Sequence, residues 1–148
     1  MSFWLTFFSG SIAGAVVVWL AIKFFEHRLA KELSASDRRA NAAIEFRAKI
    51  NEAMSKFPAK DETWRLHSQT HNAINNFIPI AELAVKNYAG FLGRVNESRI
   101  TSKWKETKDY CQTTLPRSLK GNGDITADQA RDDFLQHVKV LLSYAKET

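Results

Sequence analysis

Apolar positions along this chain recur at three- and four-residue intervals, and no segment shows the two-residue alternation of a half-buried strand. The first run is different: Phe3 to Ile22 is twenty residues without a charge, "FWLTFFSGSIAGAVVVWLAI". As a helix it spans about 30 Å, the thickness of a bilayer's hydrocarbon layer, with every backbone group paired internally. Trp4 and Trp19 lie near its ends, where indole favours the headgroup zone. The pattern predicts a membrane-spanning helix over 1–25.

No Pro or Gly then occurs until Pro58. Leu29, Leu33, Ala40, Ala43, Ile50, Met54 and Phe57 keep a helical stripe, which predicts a long juxtamembrane helix over 26–57. A break at "SASD", with Ser34 or Ser36 as cap, is the alternative to a continuous helix. From 58 to 148 the pattern predicts a bundle that packs with this helix. Asp61 is placed as the cap of a helix carrying Trp64, His67, His71, Ile74 and Ile78 on one stripe. Pro79 interrupts or kinks it. A core face of Ile80, Leu83, Ala84, Tyr88, Phe91, Leu92 and Val95 follows. Ser98 starts a segment with Ile100, Trp104 and Cys111 on one side. "LPRSLKGNGD" reads as the clearest loop. Thr126-Ala127-Asp128-Gln129 is a capping box for a last helix with core positions Phe134, Val138, Leu141, Leu142 and Ala145. The fold class is all-α: one N-terminal transmembrane helix plus a four- to five-helix soluble bundle.

Charge sets the expected orientation. No Lys or Arg precedes the run, and Lys23, Arg28, Lys31, Arg38 and Arg39 follow it. This bias predicts a cytoplasmic C-terminal domain on a bacterial inner membrane, with those five residues at the lipid surface. A cleaved signal peptide would need basic residues before the run and small residues at a cleavage site after it, and neither is present. Gly10 and Gly14 share a helix face with Ser11 and Ala15, a surface that would let two spans pack closely as a homodimer.

Net charge is +5, but Lys and Arg are not interleaved with aromatics in one block, so nucleic acid is not an expected partner. The single cysteine excludes an internal disulfide.

Three loose motifs carry a resemblance. They are Ala43, Phe46 and Arg47 ahead of Pro58; Trp104 with Tyr110; and Phe134, Val138, Leu141, Leu142, Ser143, Tyr144 and Ala145 at the end. In these the chain resembles a group of small bacterial proteins with an N-terminal anchor and a helical domain. The resemblance implies a shared helical fold and a bacterial source, and it brings no activity or catalytic residue with it.

The chemistry-bearing residues are few. His67 and His71 stand four apart, the spacing of two zinc ligands on one helix face. The glutamate that usually follows the first histidine is replaced by Ser68, and a third ligand from Glu82, Cys111 or His137 would have to come by folding. Two histidines on a half-buried stripe is the plainer reading. Cys111 beside Tyr110 on an apolar side reads as a buried structural thiol rather than a nucleophile. No catalytic residue, metal or cofactor is expected. The expected function is a membrane-tethered binding or scaffold protein that meets the bilayer, a second copy and another protein. A periplasm-facing envelope or phage-lysis component is the alternative, and a metal- or thiol-dependent enzyme ranks behind both.

Overall fold

The computed structural model describes residues 4–59 and 62–145, with side chains from residue 20 onward. Among the described residues it is all-helical and without strands: α1 Trp4–Met54, α2 Ser68–Ala89, α3 Arg94–Gln112, α4 Thr114–Leu119 and α5 Ala127–Ser143. The chain divides into two compact units, Met1–Arg38 and Arg39–Thr148. α1 runs through "SASD" unbroken, consistent with the lack of Gly or Pro there.

No helix among the described residues is long and apolar enough to cross a membrane. The stretch Phe3–Ile22 lies, but for its last three residues, outside those whose side chains are described, and so do Gly10 and Gly14. The fold therefore adds no support to the expected span.

The second unit is built around aromatic rings. Phe57 stacks on Trp64 at 5.2 Å and lies 5.1 Å from Phe134. Phe77 meets Phe134 edge-on at 5.3 Å. Phe46 of α1 stacks on Tyr88 of α2 at 4.9 Å, and the Tyr88 hydroxyl donates to the Tyr144 carbonyl at 3.0 Å. α3 packs against α2, α4 and α5. Burying these rings removes the largest apolar surfaces from water.

Several boundaries differ from the sequence expectation. α3 begins at Arg94, directly after Gly93, rather than at Ser98. α2 begins at Ser68 rather than after Asp61, because the preceding chain is held extended by one local bond and one long-range bond. The Trp64 indole donates to the Ala59 carbonyl at 3.1 Å, and the Leu66 N–H donates to the Leu119 carbonyl at 3.3 Å. Pro79 lies inside α2 without ending it, since Phe77, Ala81, Ala84, Val85 and Tyr88 bury on both sides of it. Half of the expected loop is helix α4. Pro116 sits in its first turn, where a missing N–H costs nothing.

The expected core face is present in part: Ala84 and Tyr88 of α2 are buried, Ile80 and Leu92 are half-buried, and Leu83 is exposed while Ala81 and Val85 are buried instead. Phe91, past the end of α2, and Val95, in α3, are exposed too. Small Ala side chains let α2 approach its neighbours closely, and that choice rotates Leu83 to the outside.

Candidate functional site

The largest cavity among those described is a groove of about 760 Å³ between the extended segment 63–66 and the chain from Ser118 to Gln129. Its geometry starts at the end of α4. The Gly121 N–H donates to the Ser118 carbonyl and the Asn122 N–H to the Arg117 carbonyl, each at 3.0 Å. This is a Schellman ending, and it needs the left-handed backbone that Gly121 adopts at φ 76°. Gly123 then crosses directly over Ser118. A Cβ there would meet the Ser118 Oγ and would lie 2.8 Å from its Cα. Ser118 is buried and its hydroxyl finds no hydrogen-bond partner among the described residues.

The far wall of the groove is the start of α5. The Thr126 hydroxyl accepts from the Gln129 N–H at 3.2 Å, and the Gln129 side chain accepts from the Thr126 N–H at 3.0 Å. The expected capping box is therefore present. Arg65, Lys120 and Asp124 stand exposed along the rim. The groove offers charges and backbone groups for binding, while its buried hydroxyl is covered by Gly123.

A second cluster lies between α3 and α5, where Lys103, Tyr110, Asp133, Gln136, His137 and Val140 line a cavity of about 150 Å³. The Tyr110 ring lies 4.9 Å from that of His137, and its hydroxyl donates to the Ala130 carbonyl at 3.1 Å. Burial, reinforced by the Asp133 charge, pushes the phenol up to about 12. Burial and then the Lys103 ammonium hold the His137 imidazole below its ordinary value, and its Nδ1 is buried without a hydrogen-bond partner among the described residues. Lys103 pairs with Glu106 at 2.7 Å, which lowers that carboxyl. The sequence reading did not assemble this cluster. Its one trace is spacing: Asp133 and His137 stand four apart, as do Glu106 and Tyr110.

The residues singled out from sequence are placed as follows. His67 is the N-cap of α2 and His71 lies one turn on; both are exposed rather than half-buried. The His67 Nδ1 lies 2.7 Å from the Arg65 carbonyl, so it carries the proton and donates. Glu82 is engaged by Lys108 at 3.0 Å. Among the described residues no group of three or more His, Cys, Asp or Glu side chains could hold a metal ion. Cys111 is fully buried, and burial pushes its thiol up to about 12, which removes the thiolate a nucleophile requires.

Of the five basic residues after the first run, Lys23 pairs with Glu26 at 3.0 Å and Arg28 with Glu32 at 3.3 Å. The Arg38 and Arg39 Nε atoms donate to the Ser34 and Phe91 carbonyls. Lys31 is exposed. These are solvent-facing contacts of small energy.

Comparison with protein-family models, with curated proteins and with solved structures returns no match for this chain.

Proposed function

We propose that this chain is a membrane-tethered helical binding or scaffold protein. The uncharged run Phe3–Ile22 anchors it in a bacterial inner membrane, and the cations from Lys23 to Arg39 face anionic lipid on the cytoplasmic side. The second unit, in this reading, docks another protein there.

The observation that carries the binding reading is apolar surface. In a unit whose rings are otherwise packed together, Leu83 is 60 % exposed, Val95 65 % and Phe91 44 %. Ile80 and Leu83 also form, with Lys49 and Glu52, the walls of a cleft of about 200 Å³. Exposed apolar patches rimmed by charge mark interaction surfaces.

Two measurements test the proposal. Carbonate extraction should leave the full chain in the membrane pellet, and a reporter that works only outside the cytoplasm, fused after Thr148, should stay silent. Purification in mild detergent should recover a partner that Leu83→Asp loses while the variant's thermal unfolding is unchanged. A carbonate-soluble chain would remove the tether. An active reporter would place the helices in the periplasm. An identical set of co-purified proteins for both chains would remove the docking face.

A further inference from the structure

The turn that forms one wall of the groove carries a side chain with chemistry of its own. Of the chain's asparagines, all but Asn122 stand inside α1, α2 or α3. Asn122 lies between α4 and α5, and it alone is followed by glycine. Within a helix, the N–H after an asparagine is engaged by a carbonyl one turn back and is held away from the side-chain amide. Around Asn122 those restraints are missing. The residue is exposed, and its side-chain amide makes no hydrogen bond among the described residues. The Gly123 N–H has no acceptor among them either. Gly123 has no side chain to crowd an approach, and glycine reaches backbone conformations closed to other residues. The Asn122 N–H is tied to the Arg117 carbonyl at 3.0 Å, which fixes the peptide bond before the side chain and not the one after it.

We propose that Asn122 is a site of spontaneous modification, converting to aspartate and isoaspartate in the folded protein. The Gly123 nitrogen attacks the Asn122 Cγ. A new N–C bond forms, the amide nitrogen leaves as ammonia with the Gly123 proton, and a cyclic imide results. Water then adds to one of the two imide carbonyls. Opening at the side-chain carbonyl gives aspartate. Opening at the main-chain carbonyl gives isoaspartate, whose main chain runs through Cβ and Cγ. Water is the one reagent consumed, and no electron changes hands.

The two products differ in what they do to the fold. Aspartate adds a charge near Asp124 and keeps the length of the chain. Isoaspartate inserts a methylene just before Gly123, about 1.5 Å of extra path. Gly123 lies so close over Ser118 that a Cβ on it would sit 2.8 Å from the Ser118 Cα. A lengthened chain loses that fit, and the buried Ser118 hydroxyl then meets water.

Ageing of the full chain at pH 8 tests this. Trypsin, in a short and slightly acidic digestion, releases residues 121–131 by cutting after Lys120 and Arg131. Mass spectrometry should show first the loss of ammonia and then the gain of an acid in two separately eluting peptides. The isoaspartyl one should accept a methyl group from an isoaspartyl methyltransferase. Peptides with the helical asparagines should stay unchanged, and Asn122→Gln should block the reaction. Asn122→Asp should unfold at the same urea concentration as fresh protein, whereas the isoaspartate fraction should unfold at a lower one. An unchanged 121–131 peptide in the folded chain, while a urea-denatured sample converts, would overturn the site. Equal conversion at the helical asparagines would overturn the role given to the turn. An isoaspartate fraction as stable as fresh protein would overturn the effect on Gly123 and Ser118.

Discussion

At the scale of single residues, burial decides chemistry. Cys111 stands beside a tyrosine and within the same helix as several cations, yet its surroundings hold the thiol neutral to about 12. Alkylation at pH 8 should therefore be negligible in the folded protein and complete in denaturant, as mass spectrometry of the labelled chain will show. Gly123 matters for a different reason. A methyl group there would press on the Ser118 backbone, 2.8–2.9 Å away, which cannot yield. Gly123→Ala should lower stability by about 1–3 kcal/mol, the usual range for overpacking, measured by urea unfolding.

His137 gives a pH dependence with a definite sign. Its folded value lies below the ordinary 6.5, so the unfolded chain takes up the proton first as pH falls. The contribution of this residue is full above 6.5 and declines as pH drops from there to the depressed folded value. The urea midpoint should fall between pH 7 and 5, and His137→Gln should flatten that part of the curve. Tyr110 and Cys111 act at the other end: both hold their protons to about 12 when folded, so stability should also decline as pH rises beyond their ordinary values of 10 and 9.

At the scale of elements, local rules held where the bonds were local. The capping box at Thr126 is readable from four consecutive residues because its partners are three apart, and it forms. Thr126→Ala should cost about 1 kcal/mol through the unsatisfied N–H of Gln129, visible as a lower thermal midpoint. The core positions Phe134, Val138 and Leu141 on α5, with Ala145 just past its end, were legible for the same reason, since one periodicity governs the helix, while Leu142 is half-buried. Local rules failed where a distant partner intervened. Leu66 reads as helical, but its N–H donates to the Leu119 carbonyl, more than fifty residues on, and the segment stays extended. On α2 the expected stripe is buried at Ala84 and Tyr88, but Ala81 and Val85 rather than Leu83 complete it.

At the scale of the whole molecule, the second unit depends on one ring cluster. Phe134 touches Phe57, Trp64 and Phe77, so Phe134→Ala opens a cavity bordered by all three. The expected loss is about 3–5 kcal/mol, a large part of the stability of a domain this size, and calorimetry should show it as a much lower unfolding midpoint. Carbonate-resistant pelleting should survive that change if the tether depends only on the first unit. The candidate groove was only partly legible. Gly121 and Gly123 announced a turn, but nothing nearby in sequence announced that segment 63–66 would form its other wall. The cluster of Lys103, Tyr110, Asp133 and His137 was hidden for the same reason, because its members lie on two helices whose rotation only packing sets.

Helical content, the capping signal on α5, the burial of Cys111 and the expectation of an uncharged N-terminal run could all be read from the residues, because each depends on neighbours within a turn or on the chemistry of one side chain. Which face of α2 turns inward, where α2 begins and which polar groups share a cavity were settled only by the folded chain. Those outcomes depend on surfaces from separate helices fitting together, and the energy of that fit belongs to no single segment.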